Sequence, residues 1–305
     1  MKIGVFAGGA NDVAGQVQSI IEAENDGFDG IWFGQVFGPD VLTVLALGGQ
    51  KTTRIELGTS IVPTYPRHPH ALAQQALTVH AASDGRLNLG IGPSHAPVVE
   101  GMWGLSYDRP AVHVREYLSV LLPLIREGRT SFSGEMYRVN ATASVPIPKP
   151  LPVLISALAP IMLRMAGELT DGTITWMVGP KTLETHIVPR LTKAADGAGR
   201  PNPRVVVGLP IAVVDDAAAA REKAARSFQV YGTLPNYRRV LDKEGAAGPA
   251  EVAIVGNEAK VEAQLRTLAS AGATDFLGGS FPVGDDVAAS LGRTRACLKG
   301  LVGKI

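Results

Sequence analysis

Eight short apolar runs alternate along the chain with stretches of helical periodicity, and this alternation limits the possible folds more than any other feature. KIGVFA (2–7), DGIWFG (29–34), RIELGTSIV (54–62), RLNLGIG (86–92), PVLISA, GTITWM, RVVVGLPIAVV (204–214) and ATDFLGGSF (273–281) read as strands. Most are apolar without a clear period of two, as expected of strands buried on both faces of a parallel sheet. Helical segments separate them. DVAGQVQSIIEAENDG (12–27) closes on Gly27, and the stretch after His70 sets Leu72, Ala76 and Val79 at helical spacing. Residues 110–127 put Val114, Tyr117, Leu118, Leu121 and Ile125 on one face. Residues 181–195 read as one helix, and 217–245 as helical with a break at GTLP. The pattern predicts an α/β fold, a single (β/α)8 TIM barrel spanning 1–305. An insertion of about residues 93–150 follows the fourth strand and carries short strands in GRTSFSGEMYRVNA (128–141).

Composition supports a large core and excludes several classes. The chain has 305 residues, 46% of them hydrophobic, and a net charge of +1 with no Lys/Arg block, which argues against a nucleic-acid partner. Cys297 is the single cysteine, so no intramolecular disulfide forms; it reads as a small core residue on the last helix, in a reducing compartment. MKIGVFAGG lacks the long apolar stretch of a signal peptide, and no run of about 18 apolar residues suggests a membrane span. The expectation is a cytoplasmic protein acting on a small molecule.

In a barrel of this kind, sites are built where strands end and the following loops begin. The candidates are Gly8 and Gly9, Gln35, Ser60 with Tyr65, Gly92 to His95, Ala157 to Ala159, and Trp176 with Met177. They are rich in small residues and poor in carboxylates, with no acidic pair for glycoside hydrolysis. GIGPSH (90–95) has His95 where a dinucleotide fingerprint needs its third glycine. No phosphate-binding G-x-x-x-x-G-K-[ST] loop and no G-x-S-x-G elbow is present. HPH (68–70) has no Cys or acidic partner at ligand spacing, so no metal is expected. The remaining fit is a wide apolar mouth for a flat cofactor that brings its own reactivity. ISALAP, a strand running into small residues and a proline-started helix, offers an anion site there, or else is a plain tight turn.

Four stretches carry a family resemblance: RIELGTSIVPTYPRHPHALAQQALTVHAASDGRLNLGIG (54–92), LISALAPIMLRMAGELTDGTI (154–174), VGNEAKVEAQLRTLASAGATDF (255–276) and GSFPVGDD (279–286). The chain resembles the luciferase-like superfamily of flavin and deazaflavin barrels. Within it, the likeness is to coenzyme F420-dependent oxidoreductases of the methylenetetrahydromethanopterin reductase type. The resemblance implies a non-prolyl cis peptide at Ser60–Ile61, behind the deazaflavin ring. It also implies that Gly92, Pro93, Ser94 and His95 border the cofactor head and that Ala157, Leu158 and Ala159 offer N–H groups to its phosphate. Met177 and Val178 then line the tail, Gly8 and Gly9 leave room for substrate, and a homodimer is implied.

One departure narrows the chemistry. Several relatives carry an Asp-His pair after the second strand, where this chain has Gly34 and Gln35. Without that imidazole, a base for alcohol oxidation is missing, and reduction of a C=C, C=N or C=O bond is favoured. His95 or Tyr65 could supply the proton, or water could, and Gln35 suits orienting a carbonyl. Two alternatives stay open: an FMN-dependent monooxygenase, and a barrel that binds F420 as a carrier or sensor without chemistry. Substrate choice is expected to lie in 93–109, where Trp103 and Tyr107 are possible lining residues, in 128–150 and in 230–250.

Overall fold

A computed structural model describes residues 1–7, 12–35 and 37–305. Its strands are β1 (Lys2–Phe6), β2 (Gly30–Phe33), β3 (Glu56–Thr59), β4 (Leu87–Gly92), β5 (Val153–Ser156), β6 (Gly172–Trp176), β7 (Arg204–Val213) and β8 (Asp275–Ser280). Each pairs in parallel with the next, and β8 returns to β1, so the predicted (β/α)8 barrel is the observed one. Helices follow the strands, and several start on an acidic or amide cap at the C-terminal rim. Asp12 accepts from the Gly15 N–H, Asp40 from Thr43, Asn257 from Lys260 and Asp286 from Ala289, at 2.8–3.1 Å. Among the described residues, no helix is long and apolar enough to cross a membrane.

Side chains alternate along each strand, and the inward set fills the barrel. Trp32, Leu154, Ile174, Val206 and Leu277 form one buried cluster, with Phe6 and Ile61 packed against it. Glycines make the space. A Cβ on Gly58 would lie 2.1 Å from the Trp32 ring, and one on Gly90 would lie 2.3 Å from Ile174. The N-terminal end is closed by charge. Arg204 donates to Asn88 Oδ1 at 2.7 Å and to Glu56 Oε2 at 3.0 Å, pairs with Asp275, and lies 5.9 Å from the Trp32 ring centroid. Burial pushes the Glu56 carboxyl up, but Arg204 and Lys2 outweigh it and hold the group below its usual range.

The structure departs from the sequence reading in local ways. RIELGTSIV is not one strand: β3 ends at Thr59, the Ser60–Ile61 bond is cis, and Val62–Pro63 then pairs with Ile91–Gly92. The single helix expected over 181–195 is instead Pro180–Thr182, a π-helical turn Leu183–Ile187, and Val188–Gly197. Pro189 lacks the N–H that would reach the Thr185 carbonyl in an α-helical ladder, and Arg190 Nη1 reaches that carbonyl at 3.4 Å instead. The break at GTLP falls at Leu234, extended before Pro235, between Gln229–Thr233 and Pro235–Glu244. Between β4 and β5 lie the helices Ala96–Gly101 and Pro110–Glu127 and an antiparallel hairpin, Arg129–Ser133 with Arg138–Thr142.

Arg204→Met leaves the Asp275 side chain, 6% exposed, and Glu56 facing each other without their shared cation. Urea denaturation at pH 7 is expected to show a loss of about 3–5 kcal/mol. Because the Glu56 folded pKa is depressed, its share of the stability is present above about pH 4.3 and lost as pH falls through the folded value. The gap between wild type and variant therefore narrows in acid. A gap independent of pH would contradict the pairing.

Candidate active site

The inward positions toward the C-terminal ends of the strands are Phe6, Gly34, Ser60, Gly92, Ser156, Trp176, Gly208 and Gly279. None of these side chains titrates near neutrality. Phe6, Gly34, Ser60, Ser156, Trp176 and Gly279 are half-buried, while the β-strand residues between them on the outer face are buried. The mouth is thus open, with a floor of small residues crossed by two large rings. Trp176 lies over Gly208 and Gly279, where added Cβ atoms would meet its ring at 2.8 and 2.9 Å. Phe6 lies beside Gly34, and its ring centroid is 5.6 Å from that of Trp176. Gly8 and Gly9 lie outside the described residues.

The crowded corner after β3 is tied to both neighbouring strands. Ser60 N–H donates to Phe33 O at 2.7 Å, Gln35 N–H to Ile61 O at 3.1 Å, and Thr64 N–H to Gly92 O at 2.9 Å. The Gln35 side chain accepts from Val41 N–H at 2.9 Å, holding the start of the helix Val41–Gly49. Tyr65 turns toward the segment after β4. Its ring stacks on His113 at 3.9 Å with the planes 8° apart, and it lies 5.5 Å from Tyr107. Burial lifts the Tyr65 phenol to about 12, and its hydroxyl has no hydrogen-bond partner among the described residues. His113 bonds Thr64 Oγ1 at 2.9 Å, and burial pushes it down to about 4, so the ring is neutral at pH 7. The HPH histidines serve locally: His68 caps the helix Pro69–Ala82, and His70 bonds the Thr142 carbonyl at 3.0 Å.

The loop after β4 is held in a strained form. Ser94 has φ +63°, a left-handed conformation uncommon outside glycine, and its carbonyl accepts from the Tyr107 hydroxyl at 2.9 Å. His95 begins the helix Ala96–Gly101, and burial lowers its pKa. Met177, after β6, has φ +58°. Met177 and Val178 are fully buried, main chain as well as side chain, in the main core. At the end of β5, Ala157 is buried, Leu158 O accepts from His186 Nε2 at 2.8 Å, and Ala159 precedes the helix Pro160–Leu169. That helix has no side-chain cap, which leaves its first amides free for an anion. Outside the barrel, a groove of about 790 Å³ runs over the packed helices Pro160–Leu169 and Val188–Gly197, with Ile161, Arg164, Arg190 and Lys193 on its walls.

Sequence reasoning missed the rings that the segment after β7 brings over the mouth. Tyr237 lies 5.6 Å from His95 and 5.0 Å from Tyr231, and Tyr231 lies 6.0 Å from Trp176. Phe228 bridges Trp176 and Phe281 at 6.3 and 5.7 Å. The available signal was the pair of tyrosines flanking the GTLP break.

The sequence pattern of the luciferase-like monooxygenase family matches residues 1–286. The chain belongs to that family. Its relatives include the 5,10-methylenetetrahydromethanopterin reductase of Archaeoglobus fulgidus, 31% identical over 76% of this chain and 70% of that one. A putative coenzyme F420-dependent oxidoreductase of Mycobacterium tuberculosis is 33% identical over 59% of this chain and 57% of its own. The solved coenzyme F420-dependent tetrahydromethanopterin reductase of Methanopyrus kandleri superposes with a TM-score of 0.81. It covers 100% of this chain and 98% of its own at 21% identity, a likeness of fold.

Within this luciferase-like barrel, Gly92→Ala places a Cβ 2.1 Å from Ser156 Oγ and 3.0 Å from Ile61 Cδ1. The expected cost, read by urea denaturation, is about 1–3 kcal/mol. Gly92→Ala combined with Ser156→Gly recovers most of it. Equal loss in the single and double variants would mean that the floor is not packed as described.

Proposed function

We propose that the protein is a coenzyme F420-dependent oxidoreductase that reduces a C=C, C=N or C=O bond of a small organic substrate. The observation that carries this reading is the mouth itself: its inward floor holds no acid or base, so the reactivity has to come with a flat cofactor. The named relatives point to F420 as that cofactor. The residues fit such a group. Ser60, Ile61, Gly92, Pro93 and Ser94 would border its head where a Cβ on Gly92 would intrude, and the amides around Ala157, Leu158 and Ala159 would take its phosphate. Met177 and Val178, both fully buried, would stand behind the tail's path and support the wall beside it.

When bound in its reduced form, F420 supplies a hydride at C5. The substrate gains that hydride at one atom of the double bond and a proton at the other. The chain's task is then to place the bond, exclude water and deliver the proton. His95, three residues past β4 and kept neutral by burial, would relay that proton from water, taking one at one ring nitrogen and releasing one from the other; Tyr65, stacked on His113, instead supports the corner. With its oxygen held by Val41, the Gln35 side chain presents its amide N–H groups, which suit orienting a substrate carbonyl.

The test is titration of the protein with oxidised F420 and separately with FMN, followed by fluorescence polarisation. The expected result is a dissociation constant for F420 at least about tenfold below that for FMN, a difference of roughly 1.4 kcal/mol. The reverse order would make the protein a flavin monooxygenase. F420 binding with no turnover of any unsaturated acceptor would make it a carrier.

A further inference from the structure

The rings over the mouth form a continuous series. It starts at His95 after β4, passes through Tyr237 and Tyr231, and reaches Trp176 and Phe6 at the ends of β6 and β1. Trp176 and Phe6 sit at inward positions and remain half-buried, as do Tyr231 and Tyr237. Ring faces and edges at this spacing match the π-surface of a flat ligand. Several charged groups at this end of the barrel are engaged with each other or with the backbone. Arg67 pairs with Asp40, Arg238 with Asp242, and Glu244 accepts from the Lys181 and Thr182 amides. None of these is left to neutralise a charged substrate.

Tyr237 adds a directional group. Burial raises its phenol above the ordinary range, and no described residue hydrogen-bonds its hydroxyl. The half-buried ring leaves that O–H open to solvent, where a ligand acceptor can take the place of water. Burial also lowers the pKa of His95, so the neighbouring ring favours its neutral form and keeps the wall uncharged.

We propose that Tyr231 and Tyr237 form the substrate-facing wall, and that the acceptor is an uncharged, planar molecule whose carbonyl-type oxygen accepts a hydrogen bond from Tyr237. The inference rests on the reductase reading for its chemistry, but its test does not depend on which cofactor binds.

Protein loaded with F420, and in a second series with FMN, is titrated calorimetrically with three probes. Coumarin is flat, neutral and carries a carbonyl; naphthalene is flat without one; coumarin-3-carboxylate is flat and anionic. The expected order is coumarin first, with coumarin-3-carboxylate at least about tenfold weaker. Tyr237→Phe is expected to weaken coumarin roughly three- to tenfold and to leave naphthalene unchanged. Tyr231→Ala is expected to weaken both by a similar factor. Thermal melts of the variants show whether they are folded, and Tyr237→Phe removes a single oxygen, so it keeps the test informative if Tyr231→Ala unfolds. Equal or tighter binding of the carboxylate, or coumarin affinity unmoved by Tyr237→Phe, would overturn the proposal. If F420 fails to load while the probe pattern holds in FMN-loaded protein, the cofactor reading fails and the wall stands.

Discussion

The contact on which the structure depends is the fit of large rings into glycine gaps inside a closed barrel. Trp32 fills the centre because Gly58 has no side chain, and Trp176 reaches across the mouth because Gly208 and Gly279 have none. Close packing makes each pairing exclusive: a methyl group added on the glycine side would have to move an indole. These pairings put bulk in the middle of the barrel and leave the floor of the mouth low. The Arg204 cluster closes the other end, so the open face is the one where the strands finish.

The fold was legible because eight apolar runs and intervening helical periods leave few alternatives. Local geometry was less legible where a single backbone group decides it. RIELGTSIV has the composition of an unbroken strand, and nothing in its periodicity shows that the ladder stops at Thr59. Family resemblance, not pattern, pointed to the cis bond at Ser60–Ile61. Helical periodicity over 181–195 is real, yet Pro189 removes one donor, and a π-helical turn forms just before it.

Much of the site was visible as strand ends, since barrel topology brings those ends together. What the chain could not show was direction. Tyr65 lies a few residues beyond β3, but the pairing of Val62–Pro63 with β4 carries it outward onto His113, a residue on a helix of the following segment. Met177 and Val178 follow β6 directly, yet their side chains turn into the core. The aromatic wall depends on contacts between residues far apart in sequence, such as His95 with Tyr237, which no local period records.

The central claim is that the low floor between β2, β4 and β5 is the seat of a flat cofactor whose phosphate rests on the start of the helix Pro160–Leu169. A crystal structure of the protein soaked with F420 tests it most directly. The account predicts the ring system against Ile61, Gly92 and Ser94, with the phosphate within hydrogen-bonding distance of the backbone amides around Ala157 to Ala159. A ring system bound elsewhere, for instance in the outer groove beside Arg164 and Arg190, would contradict it.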